Sequence, residues 1–230
     1  MIKKIFCKYE TLFCILLIVL YILINSYCIN NLGIFSYKSV IVNTIFSMLL
    51  IMLIMALNRR KYYGLSKVYN YRDCLYFIPL ILTLSVNFWG GIKIENSVSE
   101  IIYYIIFMIN VGFIEEIIFR GFLYKMMEQD NKKIAILVCS LTFGIGHIIN
   151  LFNGAFFIPT LLQVCYATSV GYLFIIIFDK CKSLIPCIIT HSLMNASSIF
   201  YQDNLFLMYI IPIFLIVVSF GYARYIVKRI

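Results

Sequence analysis

The sequence predicts an all-α membrane protein: a polytopic helical bundle of about eight transmembrane helices with both termini in the cytoplasm. Of its 230 residues, 63% are hydrophobic and 13% are charged, whereas charged residues make up about a quarter of a typical soluble domain. The apolar residues form blocks of roughly 15 to 25 residues, the length that crosses a bilayer as a helix. Hydrophobicity does not alternate within the blocks, so the sequence excludes an outer-membrane β-barrel.

Eight apolar blocks follow one another along the chain. No small-residue cleavage site follows the first block, so we interpret it as a retained helix and not as a signal peptide. Pro79 predicts a kink or a tilted start in the third block, and Pro186 stands in the first turn of the seventh, where proline is tolerated. We predict spans at 11–29, 39–57, 74–89, 101–127, 132–151, 156–178, 184–201 and 205–226. No repeat or linker divides the chain, so residues 1–230 are predicted to form a single membrane domain.

The positions of Lys and Arg predict the topology. With eight spans, 16 of the 19 basic residues fall on one side of the membrane. Lys38 and Lys93 fall on the other side, and Arg120 lies inside a span. Cytoplasmic loops are enriched in Lys and Arg, so both termini are predicted to be cytoplasmic. The net charge of +9 comes from basic residues that lie between the apolar blocks, where they orient the protein in the bilayer. We therefore predict no nucleic-acid partner.

The fourth block carries ionisable residues where charge is costly. Glu115, Glu116 and Arg120 lie in its C-terminal half, and ionisable residues inside a membrane span indicate a functional site. Glu116 and Arg120 are four residues apart, so they share one helix face and can pair. Glu115 is turned about 100° away from Glu116 and is left for another role.

Both histidines of the chain are predicted at the depth of the acid pair. A rise of about 1.5 Å per residue places Glu115, His147 and His191 roughly 15, 21 and 14 Å from the cytoplasmic ends of their helices, near the middle of a core about 30 Å thick. Asn195 shares a helix face with His191, and Phe143 shares one with His147. The spacing therefore predicts that three helices direct Glu115, both histidines and Asn195 toward one buried cavity.

This set of residues suits hydrolytic chemistry. A buried carboxylate beside an imidazole can deprotonate water, because desolvation raises its basicity. A histidine with an asparagine can donate hydrogen bonds to a developing oxyanion. Glu115, His147 and His191 are also an acceptable zinc set with an open fourth position, although the H-E-x-x-H signature is absent.

Two other classes of function use similar residues. A membrane transporter or proton-relay protein also places Glu, Arg and His near the bilayer midplane. Such proteins often show internal repeats and broken helices in matching halves, whereas the polar residues here are confined to the fourth, fifth and seventh spans. A non-catalytic membrane scaffold is the third alternative, because Glu–Arg pairs and membrane asparagines also join helices.

The same residues carry a resemblance to a known family. Three motifs stand in order on successive predicted helices: Glu115-Glu116-x-x-x-Arg120, Phe143-x-x-x-His147 and His191-x-x-x-Asn195. They resemble the E-E-x-x-x-R, F-x-x-x-H and H-x-x-x-N/D motifs of the CPBP family, which comprises the CAAX proteases and bacteriocin-processing enzymes and is also called the Abi family. The resemblance covers about residues 101–200, which are expected to form the catalytic core.

The resemblance implies an intramembrane endopeptidase that hydrolyses a peptide bond of a membrane-associated protein or peptide in the lipid bilayer. By position, Glu115 and His147 would activate water, and Glu116 would pair with Arg120. His191 and Asn195 would stabilise the oxyanion.

Two further expectations concern the metal, from the resemblance, and the cell, from the composition. The family has been described both as metalloproteases and as metal-independent glutamate proteases. A zinc ion on Glu115, His147 and His191 is therefore one expectation, and a metal-free site is the other. The Ile-, Lys-, Asn- and Tyr-rich composition favours an A+T-rich bacterial genome, so we expect a multi-pass protein of a bacterial cell membrane.

Overall fold

The computed structural model describes residues 6, 8–68 and 77–228. The α-helices within these residues are α1 Glu10–Tyr27, α2 Tyr37–Ala56, α3 Ile78–Ser85, α4 Val98–Glu116, α5 Lys132–Gly146, α6 Ile149–Phe152, α7 Phe157–Cys181, α8 Ile185–Ser197 and α9 Leu205–Lys228. Wider π-helical turns continue α1 through Cys28–Leu32 and α4 through Ile117–Tyr124, after which Lys125–Met127 returns to α-helix. Short 3₁₀ turns, Val86–Phe88 and Ser198–Phe200, end α3 and α8.

Six helical stretches of the described chain are long and apolar enough to cross a membrane, by length and composition: Glu10–Leu32, Tyr37–Ala56, Val98–Met127, Lys132–Phe152, Phe157–Cys181 and Leu205–Lys228. The third and seventh predicted spans are also apolar helices, but they are shorter, at Ile78–Phe88 and Ile185–Phe200. The predicted class, an all-α polytopic membrane bundle, is confirmed. The predicted start of the third span at residue 74 lies outside the described residues.

The helix that carries the acid pair has a defined start. The Ser97 hydroxyl accepts a hydrogen bond from the Glu100 backbone N–H, and the Glu100 carboxylate accepts one from the Ser97 backbone N–H. This reciprocal cap satisfies two backbone donors at the helix terminus. It fixes the start of α4 at Val98, three residues before the predicted start of this span.

Loops that the sequence predicts on the same side of the membrane lie at the same end of the bundle. At one end, Arg59 after α2 lies 3.7 Å from the Glu10 carboxylate at the start of α1. At the same end, Lys132 at the start of α5 lies 2.5 Å from Asp179 near the end of α7. At the opposite end, the loop before α4 meets the loop after α8 through a single antiparallel bridge between Ile92 and Tyr201.

The stretch that begins with α4 and carries the acid pair is, with α7, one of the two most buried of the long helical stretches. α4 packs between α2 and α8, while α7 packs between α5 and α9. Every residue of the π-helical segment Ile117–Tyr124 is buried. By contrast, α1, α2 and α9 expose many large Leu, Ile, Val and Met side chains, a surface that suits lipid and would be a liability in water.

Candidate active site

Glu116 and Arg120 lie where α4 passes into its π-helical segment. Glu116 is the last residue of α4, Arg120 lies one turn later, and both side chains are fully buried. Nη1 of Arg120 lies 3.2 Å from Oε1 of Glu116, so the pair expected from the four-residue spacing is present. Wide π turns inside α-helices occur frequently at functional sites.

The Arg120 guanidinium packs against the face of an aromatic ring. Its Cζ lies 4.0 Å from the centroid of the Phe143 ring on α5, a favourable cation–π arrangement in a desolvated site. Gly171 allows α7 to approach this stack, because a Cβ there would lie 3.0 Å from Nη2 of Arg120 and 3.1 Å from the Phe143 ring. A second ring, Phe174, lies 5.8 Å from the same Cζ, so one carboxylate and two rings hold the cation. The guanidinium nitrogens make no hydrogen bond within the described residues.

His191 on α8 bridges the two acids. Its Nδ1 lies 2.8 Å from Oε1 of Glu116, within hydrogen-bond distance, and this oxygen also faces Arg120. Its Nε2 lies 3.3 Å from Oε2 of Glu115. The two adjacent acids thus meet opposite edges of one buried imidazole ring.

Close packing of α8 against α4 places His191 there. A Cβ on Gly112 would lie 2.7 Å from Oγ of Ser192 and 2.8 Å from its backbone N and Cα, so only glycine fits at this crossing. The Ser192 hydroxyl donates a hydrogen bond of 3.1 Å to the Ile109 carbonyl, which links the two helices at the same level. The residue next to this contact is His191.

Glu115 faces a cavity together with His147. The cavity measures about 410 Å³, lies mainly between α1 and the α5–α6 region, and is lined by both side chains. The His147 ring packs edge-on against Phe143, with 5.4 Å between the ring centroids. The structure therefore brings together Glu115, Glu116, Arg120 and His191, and His147 lines the same cavity as Glu115.

Tyr21 of α1 is a site residue that the sequence analysis did not single out. Its hydroxyl donates a hydrogen bond to Oε1 of Glu115, its side chain is buried, and it lines the same cavity. Its position in the middle of an aliphatic span could have indicated a functional role, because membrane tyrosines concentrate at the bilayer interfaces.

Asn195 is separate from this cavity. It does not line it, and its side-chain amide makes no hydrogen bond with any described residue. The neighbouring Met194 and Ser198 instead line a second cavity, of about 340 Å³. A hydrogen bond of 2.9 Å from the Asn150 amide to Gln163 Oε1 joins the linings of the two cavities.

The three candidate zinc ligands do not form a metal set. Nε2 of His191 and Oε2 of Glu115 are close, but His147 does not complete the group. Within the described residues, no three His, Cys, Asp or Glu side chains are grouped so that they could hold a metal ion. A catalytic zinc site needs about three protein ligands, so the arrangement does not fit zinc.

The site lies in a segment that matches a known family. Residues 97–197 match the model of the Rce1-like family, described as type II CAAX prenyl endopeptidase Rce1-like. The resemblance to the CAAX proteases is confirmed over this segment. A comparison with curated proteins and one with solved structures gave no match.

The Rce1-like segment contains all three motifs and every predicted site residue from Glu115 to Asn195. The match supports intramembrane protease activity as the general class of function. Tyr21 lies outside it, on α1. With several apolar helices, the chain is a multi-pass membrane protein.

Proposed function

We propose that this chain is an intramembrane endopeptidase that hydrolyses a peptide bond of a membrane-associated protein or peptide. The observation that carries the proposal is that Glu115 and His147, both within the Rce1-like segment, line one cavity. A general base must reach both a water molecule and the bond that the water attacks, and a cavity shared by a carboxylate and an imidazole permits this.

Glu115 is the proposed base. It takes a proton from water as the water oxygen attacks the carbonyl carbon of the scissile bond. When the C–N bond breaks, the same proton passes to the leaving nitrogen, so the products are a new carboxyl terminus and a new amine. His147, which lines the same cavity, orients the water.

Glu116 and Arg120 keep the acid centre in place. Arg120 compensates the charge of Glu116, and Glu116 fixes the ring of His191 through its Nδ1. The other ring nitrogen of His191 is then directed toward Glu115. The pair therefore acts through His191 and does not itself need to touch the substrate.

His191 and Asn195 are the proposed donors to the oxyanion. Both lie on α8 one turn apart, and the Asn195 amide hydrogens are not taken up by any described residue. Because the Asn195 side chain does not line the cavity of Glu115 and His147, the proposal places the scissile carbonyl where it also reaches α8. Donors fixed before the reaction stabilise charge that develops only in the transition state.

The proposed substrate reaches the site from the bilayer. The cavity walls are mostly apolar side chains of α1, α5 and α6, which suit an extended peptide at membrane depth better than a soluble, charged one. We extend the proposal to the cell membrane of a bacterium, which the Ile-, Lys-, Asn- and Tyr-rich composition favours.

The test is cleavage by the purified protein in lipid nanodiscs, with a panel of fluorogenic membrane-associated peptides. Glu115→Gln should lower the rate by about 10²–10⁴-fold, because it removes the base and preserves the shape. Glu95→Gln, which alters an exposed acid, is the matched control and should cleave at the wild-type rate.

Wild-type cleavage by the Glu115→Gln variant would refute the proposal. Proton-coupled uptake by wild-type vesicles without any cleavage would instead favour the transporter alternative. A zinc chelator added to the same assay should leave the rate unchanged, because His147 does not join His191 and Glu115 in a ligand set. Loss of activity on chelation, restored by zinc, would show that the substrate-bound site recruits a metal.

A further inference from the structure

We propose that Tyr21 is a positioning residue for Glu115 and that α1 is therefore part of the active site. The phenol holds one oxygen of the carboxylate, so that the other oxygen is presented to His191 and to the cavity. The inference rests on the proposed function only in taking Glu115 as the reacting base.

The contact is specific and buried. The Tyr21 hydroxyl donates a hydrogen bond to Oε1 of Glu115, and the Tyr21 side chain is only 5% exposed. Oε2 of the same carboxylate lies 3.3 Å from Nε2 of His191. Each oxygen of Glu115 thus has a different neighbour, which fixes the plane of the carboxylate.

The sequence of α1 directs this tyrosine inward. Cys14, Leu17 and Tyr21 are the buried residues of α1, and their spacing of three and four residues places them on one helix face. This face packs against the π-helical segment that follows Glu116. Tyr21 is the one residue of that face with a hydrogen-bonding hydroxyl.

The nearby groups that could pair with Glu115 through a positive charge face Glu116 instead. Arg120 and the Nδ1 edge of His191 both face Glu116. A hydrogen bond from a neutral donor to a carboxylate is charge-assisted and strong, and it costs no additional buried charge. Tyr21 therefore holds Oε1 of Glu115, to which no described residue of the Rce1-like segment donates a hydrogen bond.

The decisive variant is Tyr21→Phe, which removes the hydroxyl and keeps the ring. We expect kcat to fall by about 10–100-fold, the effect of losing one hydrogen bond to a charged group, while KM and the melting temperature change little. Replacement of Tyr21 by 3-fluorotyrosine retains the donor and should retain kcat. Tyr27→Phe, on the exposed face of the same helix, is the matched control and should behave as wild type.

A second measurement does not depend on cleavage. The infrared difference spectrum of wild type minus Glu115→Gln isolates the carboxyl band of Glu115. This band should shift in the Tyr21→Phe background and remain in place in the Tyr27→Phe background.

The two measurements separate the inference from the proposed function. Wild-type kcat in a folded Tyr21→Phe variant, or an unshifted Glu115 band, would overturn the role of Tyr21. If wild type cleaves no peptide but the band shifts, the positioning contact stands and the protease proposal fails. A purely structural tyrosine would lower the melting temperature and move neither kcat nor the band.

Discussion

Glu115 and Glu116 are adjacent in the chain, yet they have different partners. Glu116 faces Arg120 and the Nδ1 edge of His191, in a fully buried cluster. Glu115 meets the Tyr21 hydroxyl and the wall of the cavity. We therefore propose that Glu116 stabilises the arrangement of the site and that Glu115 acts on a substrate.

This division predicts different stability losses for two matched variants. Glu116→Gln leaves Arg120 as an uncompensated buried cation, so it should reduce the free energy of unfolding by about 3–5 kcal/mol. Glu115→Gln can still accept the Tyr21 hydrogen bond through its amide oxygen, and it should lose much less. Denaturation in detergent micelles measures both. Equal losses in the two variants would contradict the division of roles.

Asn195 provides the sharpest distinction between a protease and a proton relay. If its free amide stabilises the oxyanion, Asn195→Ala should lower kcat by about 10²–10³-fold with little change in KM. A proton relay would instead depend on His191 and tolerate the loss of Asn195, because an amide does not titrate. Steady-state kinetics on one peptide substrate decide between the two, and an unchanged kcat would remove Asn195 from the site.

At the scale of helices, the crossing of α4 and α8 determines where His191 lies. The crossing depends on Gly112, where any side chain would meet the backbone of Ser192. The imidazole is thus positioned by close backbone contact between two helices as well as by its own hydrogen bonds.

Gly112→Ala should therefore damage both the fold and the site. The added methyl group forces α8 away from α4, an overpacking that costs about 1–3 kcal/mol, and it moves His191 away from the acid pair. We expect a lower melting temperature and a large loss of kcat in the purified variant. Gly221→Ala is the control, because a Cβ on Gly221 of α9 would have no atom within 4 Å and should cause neither loss.

The sequence predicted the helices better than it predicted their contacts. Hydropathy located the span starting at Lys132 and the one ending near residue 226 to within a few residues, because lipid imposes length and composition on every span. It also located the seventh span, predicted at 184–201 and observed at Ile185–Phe200. It did not reveal that α4 widens into π-helix after Glu116, a change that no local sequence pattern marks.

The contacts within the candidate site were also only partly predictable from the sequence. Spacing alone predicted the pairing of Glu116 with Arg120, since residues four apart on a helix are neighbours. The hydrogen bond between Tyr21 and Glu115 joins residues 94 positions apart, and no local pattern contains it. The placement of His191 between the two acids likewise depends on how α8 crosses α4.

At the scale of the whole molecule, polar contacts divide the bundle into two ends. The pairs between Arg59 and Glu10 and between Lys132 and Asp179 lie at the end with most of the basic residues. Lys93 pairs with Glu95 at the other end. The membrane potential and the insertion machinery favour basic loops on the cytoplasmic side.

We therefore expect the first end, with both termini, to be cytoplasmic. A reporter fused after residue 230 should be active only in the cytoplasm. A cysteine introduced at Glu95, which is 69% exposed, should react with an impermeant reagent added outside intact cells, whereas one introduced at Lys182 should not. An external C-terminus would refute the predicted topology.

The π-helical segment after Glu116 also has a consequence for how the family varies. A run of wide turns holds about one residue more than an α-helix over the same rise, so it marks a place where the chain can lose a residue without rotating the helix on either side. Relatives of this chain should tolerate a single-residue gap between Gly121 and Tyr124. The same gap placed between Glu115 and Arg120 would turn one charge away from the other and should not occur.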